Sequence, residues 1–145
     1  MYKNVFVSLK DDYIRIYTGY RTESWLIHHG KPVYLLPVNA DESLIKESVL
    51  DCFFHSREIN KSEEKDEYDI DSKDWLKLLK EKSWKSSYNS NICHISYKDC
   101  EGFTLVFTKY DKKSNSSPIV KEVKLNISII DEIDIYYIKN TLHNL

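Results

Sequence analysis

Apolar and polar residues alternate from the start of the chain. Val5, Val7 and Leu9 fall on one side of an extended backbone, with Phe6 and Ser8 on the other. After Lys10-Asp11-Asp12 the alternation resumes: Ile14 and Ile16 against Tyr13, Arg15 and Tyr17. The two runs predict an antiparallel hairpin. Gly19 is expected to break the second strand, and Tyr20-Arg21-Thr22-Glu23 leads onward. Two further extended runs, Trp25-Leu26-Ile27 and Val33-Tyr34-Leu35-Leu36, flank Gly30-Lys31-Pro32, which is expected to turn the chain between them. Pro37 has no N–H to give a ladder and should end the second run. The period then changes. Ile45, Val49, Cys52 and Phe53 share one helical stripe, widened by Leu50 and Phe54, while Glu47, Asp51 and His55 take the opposite side. Asp41 or Ser43 can cap this helix, and Glu42 suits its positive end.

Composition shifts after Arg57. Residues 60–74 carry seven carboxylates against Lys61, Lys65 and Lys73, with only Tyr68 and Ile70 as bulk. Such a run reads either as a solvated loop or as an acidic landing surface for a basic partner. Asp71 or Ser72 then caps a helix over Lys73 to Lys82, where Trp75, Leu76 and Leu79 share a face with Leu78 at its edge. Trp75 reads as a core anchor. Ser83 to Asn91, rich in Ser, Asn and Lys, reads as a surface loop. Ile92–Tyr97, Phe103–Tyr110 and Ile119–Ile127 read as a three-stranded meander. Asp99-Cys100-Glu101-Gly102 turns between the first two strands, and Asp111 to Pro118 forms a longer loop before the third. The tail, Ile129 to Leu142, is rich in strand-favouring Ile and Tyr, yet Ser128 and Asp131 have capping-box spacing. Ile129, Ile130, Ile133, Tyr136 and Tyr137 fall within one broad helical face, which favours a final helix.

The totals narrow the classes. A chain of 145 residues is one domain, residues 1–145, and long enough for a sizeable core. The net charge of −2 and pI near 6.2 argue against a nucleic-acid partner. Arg appears only at positions 15, 21 and 57, so bidentate phosphate recognition is thinly provided. Cys52, Cys93 and Cys100 have no ligand spacing, so reduced thiols are expected and a zinc site or disulfide framework is not. No apolar run reaches membrane length and the N-terminus lacks a signal-peptide pattern, which predicts a cytoplasmic chain with no membrane partner.

The five histidines are the candidate chemical groups. His28 and His29 are adjacent in a strand, so they point to opposite faces and cannot share a metal. No His-x-x-x-His or Glu-x-x-His pair exists, and three glycines cannot build a phosphate cradle. A small hydrolase using His55 and His94 as acid and base remains the catalytic alternative. The stronger expectation is a non-enzyme without cofactor or metal. Basic-aromatic neighbours such as Arg15-Ile16-Tyr17 could stack bases, but cross-strand Tyr pairing explains them more simply.

One segment carries a family resemblance. Ser24-Trp25, then Gly30-Lys31-Pro32-Val33-Tyr34-Leu35, then Pro37, an acidic cap, an amphipathic helix and Ser56-Arg57 resemble the CdiI-type immunity proteins of bacterial contact-dependent growth inhibition systems. That family has a Trp…Gly-(Lys/Arg)-Pro-Val-x-Leu-Pro signature and a helix closing on Ser-Arg, followed by a second Trp-bearing helix, a β-meander and a final helix. This chain departs from it at Ile45-Lys46 and in the last helix, where small residues are usual, so those helices should pack less closely. The fold expected is α+β, an antiparallel sheet of about five or six strands with three flanking helices. The resemblance implies a protein that binds and neutralises a cognate toxin domain, often an RNA-cleaving nuclease, as a heterodimer. Glu63, Glu64, Asp66, Glu67, Tyr68 and Asp69 are the candidate toxin contacts. Trp25, Gly30, Pro32, Pro37, Ser56 and Arg57 are assigned to the scaffold. A homo-oligomeric or adaptor module without a toxin is the alternative of another class.

Overall fold

In the computed structural model, which describes residues 1–24, 26–60, 62 and 74–145, the hairpin forms as its alternation dictates. β1 (Tyr2–Lys10) and β2 (Tyr13–Thr22) pair antiparallel from Asn4↔Gly19 to Lys10↔Tyr13. Gly19 does not break β2. A Cβ there would lie 2.8 Å from the Asn4 Cβ and 2.9 Å from the Phe6 ring, so glycine serves a close approach inside a continuous strand.

β3 (Ile27–Pro37) corrects a second expectation. Gly30-Lys31-Pro32 makes no turn. Thr18 pairs with Gly30 and Tyr17 with Val33, so Lys31 and Pro32 form a bulge within one long edge strand. The Lys31–Pro32 peptide is cis. Proline is tolerated there because an edge strand need not donate outward, and Pro37 ends the strand as expected.

α1 (Glu42–His55) follows, with Asp41 at the N-cap position but without a side-chain cap bond. β4 (Glu58–Ile59) then runs parallel to β2 at Arg21 and Thr22. α2 is described at residues 74–78 and ends before the expected Lys82; Lys73 and its expected caps Asp71 and Ser72 lie outside the described residues. Lys80 adopts φ 53°, with its N–H bonded to the Lys77 carbonyl and that of Glu81 to the Leu76 carbonyl, a left-handed C-terminal stop. α3 (Trp84–Tyr88) stands where a loop was expected, nucleated by a capping box in which Ser83 and Ser86 exchange side-chain and backbone bonds. β5 (Asn91–Lys98), β6 (Gly102–Lys109) and β7 (Ile119–Lys124) form the meander. The tail is helical but broken. A 3-10 turn (Ile130–Glu132) precedes α4 (Ile135–His143), whose cap is Asp134, accepting from the Tyr137 N–H. Ser128 caps nothing; Glu132 reaches back to the N–H groups of Ser128 and Ile129.

The fold is α+β, with sheet order β3-β2-β1-β5-β6-β7 and β4 beside β2. One face, the front, carries Val5, Val7, Ile14, Ile16, Cys93, Ile95, Phe103, Leu105 and Phe107. These pack under Ile45, Val49, Cys52 and Phe53 of α1 and Ile135, Ile138 and Leu142 of α4. Phe54, Ile129 and Tyr136, all placed on apolar faces by periodicity, are more than half exposed. Where α1 meets α4, Ile45, Ile138 and Leu142 line a small void of about 10 Å³. The back face carries Phe6, Ser8, Arg15, Tyr17, His29 and His94, with Trp75 and Leu79 laid over Tyr17. Leu78 points to solvent. No described helix is long and apolar enough to cross a membrane.

Candidate functional site

Gly30, Lys31, Pro32, Ser56 and Arg57 of the motif come together in one joint. Gly30 lies flat on the Tyr20 ring: a Cβ would sit 2.1 Å from it, so any other residue would displace that ring. The Tyr20 hydroxyl donates to the Lys31 carbonyl at 2.9 Å, and the Arg57 guanidinium lies 5.3 Å from the same ring. The Pro32 carbonyl accepts from Thr18 Oγ1 at 2.9 Å and from Cys52 Sγ at 3.4 Å, tying the bulge to β2 and to α1. Burial pushes the Cys52 thiol up to about 12, so it stays protonated and can donate.

Ser56 completes the joint. It is 2% exposed; its Oγ accepts the Asn4 N–H at 2.7 Å and donates to the Gly19 carbonyl at 2.6 Å. The hydroxyl thus replaces a missing ladder bond where β1 leaves β2. The Arg21 N–H then bonds to the Arg57 carbonyl, and β4 takes over beside β2. Lys3 Nζ caps the same helix end, 3.0 Å from the carbonyls of Phe53 and Ser56, as the helix dipole favours. Gly30, Pro32, Ser56 and Arg57 therefore brace this joint, while Pro37 lies at the far end of β3, paired with Tyr13. Trp25 lies outside the described residues, as do Glu63, Glu64, Asp66, Glu67, Tyr68 and Asp69. The flank of that acidic segment is described at Asp74, whose carboxylate lies 3.2 Å from Lys31 Nζ of the bulge.

The titratable groups gather elsewhere. Phe6 stacks on His94 at 4.5 Å and on Tyr17 at 5.2 Å; His29 stacks on Trp75 at 5.1 Å and meets Phe6 edge-on. His94 Nε2 is 2.8 Å from Asn4 Oδ1, so that nitrogen carries the proton and donates. Burial lowers His29 to about 3, with His94 and His28 adding repulsion, and burial lowers His94 to about 4. Both rings are neutral near pH 7. His55 does not join them: it is exposed at the end of α1, on the front side, with Nδ1 2.8 Å from the Asp51 carbonyl oxygen. His55 and His94 are thus separated by the sheet and form no acid–base pair.

Beside the stacked rings lies an ion network. The Glu81 side chain, 3% exposed, is 3.3 Å from Arg15 Nε and 3.0 Å from Lys10 Nζ, and accepts from Ser86 Oγ at 2.8 Å. It pins the α2–α3 turn to β1 and β2. On the front, Tyr34 donates a hydrogen bond to Asp51; that bond, then burial, raises its hydroxyl to about 12. Cys52 and Cys93 are buried and Cys100 is exposed, all free.

Sequence reasoning missed Tyr20, Thr18, Lys3 and Glu81. Only Thr18 left a signal, as a polar residue at an inward position of an alternating strand.

No protein-family model matches the chain, and no curated protein matches it. Among solved structures it is similar to NMB0488, a protein of unknown function from Neisseria meningitidis. The TM-score is 0.59 at 12% identity, over 99% of this chain and 92% of that one. The likeness is one of fold.

Proposed function

We propose that this chain is a cytoplasmic immunity protein that binds the cognate toxin domain of a contact-dependent growth inhibition system and neutralises it by covering its active site. The toxin in this reading is a nuclease, most simply an RNase. One observation carries the proposal: Gly30, Lys31, Pro32, Ser56 and Arg57 of the pattern are parts of a single joint around Tyr20 and Ser56. A pattern whose members brace one another is a scaffold signature, and a scaffold leaves its contact surface free to match a particular toxin. The histidines support binding over catalysis, since His29 and His94 are spent on packing and hydrogen bonding.

A nuclease presents positive charge to its phosphate substrate, and carboxylates meet that charge. The acidic residues 63–69 are the contact surface in this reading. Co-expression with the adjacent reading frame should give a co-purifying pair and rescue growth. A harmless neighbour, or substrate turnover by the purified chain alone, would sink the proposal. Protection should survive His55→Ala combined with His94→Gln, which a hydrolase would not. Reversing Glu63, Glu64, Asp66 and Glu67 to Lys should slow association about tenfold or more and flatten its salt dependence. An unchanged on-rate moves the interface elsewhere on the surface.

A further inference from the structure

Between α3 and the β6–β7 connection the surface opens into a groove of about 580 Å³, within the roughly 300–1,000 Å³ usual for small-molecule clefts. Lys85 and Asn89 line it on the helix side, above the Ser83–Ser86 capping box. Tyr110, Lys112 and Asn115 line it on the loop side. Among the described residues no carboxylate lines it: the nearby Asp111 is turned into its own loop, accepting from the Lys113 N–H and the Ser114 hydroxyl. Neither Lys85 nor Lys112 has an ion-pair partner among the described residues.

Most side-chain acceptors of the two walls are already engaged, the Asn89 amide oxygen excepted. Ser83 Oγ accepts the Ser86 N–H, Ser86 Oγ is bonded to Glu81 and to the Ser83 N–H, and Asn115 Oδ1 accepts the Tyr110 hydroxyl at 2.5 Å. What remains to meet a ligand is rich in donors: two ammonium groups, the Asn115 amide hydrogens and the Ser83 hydroxyl hydrogen. Both walls are braced without a ligand. Lys10 Nζ holds the Ser86 carbonyl at 2.6 Å, and a backbone bridge from Asp111 to Ser116 closes the loop.

We propose that this groove binds a small phosphorylated anion of about nucleoside-diphosphate size, with Lys85 and Lys112 reaching its phosphate oxygens from opposite walls. A terminal phosphate carries up to two charges and three free oxygens, so it satisfies two ammonium groups and neutral donors together. A carboxylate offers one charge and two oxygens. The proposal stands apart from the immunity reading, and either can fail without the other.

The test is calorimetry and amide chemical-shift mapping with ADP, inorganic phosphate, adenosine and glutarate on the full chain. ADP should saturate, weaken with added salt, and shift amides of α3 and residues 111–116, while adenosine leaves them still. Lys85→Gln with Lys112→Gln should weaken ADP about tenfold or more with Tm unchanged; the single variants serve if the pair does not fold. Phosphate binding without extra affinity for ADP reduces the site to an anion hole and overturns the size claim. No saturation by ADP, shifts scattered over unrelated lysines, binding indifferent to the pair, or glutarate binding more tightly than ADP would overturn the whole.

Discussion

On the front of the sheet, Val5, Ile16, Ile95 and Phe107 pack with Ile45, Val49, Ile138 and Leu142, hydrocarbon on hydrocarbon. On the back, Tyr17 and His29 meet Trp75 ring to ring, Phe6 stacks between Tyr17 and His94, and Lys10, Arg15 and Glu81 close an ion network beside them. The front is held by area, at about 25 cal/mol for each Å² of apolar surface removed from water. That force has no direction and no dependence on protonation. The back depends on ring orientation, on charges that must stay paired, and on two imidazoles that must stay neutral. The same sheet therefore has one tolerant face and one conditional face, and the face with few hydrocarbons is the one on which α2 and α3 rest.

Substitutions sharpen the contrast. The largest expected effect is on the back: Trp75→Ala removes a side chain that is 1% exposed and packs α2 against the rings of Tyr17 and His29. It should cost about 3–5 kcal/mol in urea unfolding, with increased proteolysis after residue 80 as a second readout. Equal protection from protease would show that α2 is held by something else. On the front, Leu142→Ala should cost about 3 kcal/mol, and the loss should be the same at pH 5 and pH 7.

The pH dependence is next in size. His29 and His94 have folded values of about 3 and about 4, below the unfolded value of 6.5. The unfolded chain therefore binds protons first. The stability these rings contribute is fully present above pH 6.5 and is lost as pH falls toward their folded values. Between pH 7 and pH 5 each histidine should account for about 2 kcal/mol. His94→Gln, which can keep the bond to Asn4, should remove its share of that slope. An unchanged acid limb would mean that the carboxylates alone govern acid unfolding. The smallest effect is expected at Phe54, 65% exposed on α1: Phe54→Ser should change stability by less than about 0.5 kcal/mol, although periodicity had placed it on the buried stripe.

The strands and the first helix were legible because their evidence is local. Alternation puts Val5, Val7, Ile14 and Ile16 on one side whatever lies above them, and the spacing of Ile45, Val49, Cys52 and Phe53 selects one helical face. The Schellman stop at Lys80, the Ser83 box and the Asp134 cap were present in the sequence as ordinary Lys, Ser and Asp residues. Each competed with neighbours of equal capping ability, and Ser128 looked as good as Asp134.

The joint was legible only as a pattern. Gly30, Pro32, Ser56 and Arg57 could be assigned to the scaffold, but Gly30-Lys31-Pro32 was mistaken for a turn. Its meaning depends on Tyr20 and Thr18, partners on another strand. The candidate contacts at 63–69 lie outside the described residues, and the groove between α3 and the β6–β7 loop had no signature, since its walls are some 25 residues apart in the chain.

Chain periodicity alone settled an α+β domain with one amphipathic helix facing a sheet, because which side a residue faces follows from backbone geometry within a turn or two. Tertiary packing decided which helix covers which face, that His94 meets Phe6 and Asn4 rather than His55, and that a serine after a helix mends a β ladder. Those outcomes depend on residues far apart in sequence meeting at hydrogen-bond distance, and no spacing along the chain encodes a meeting of that kind.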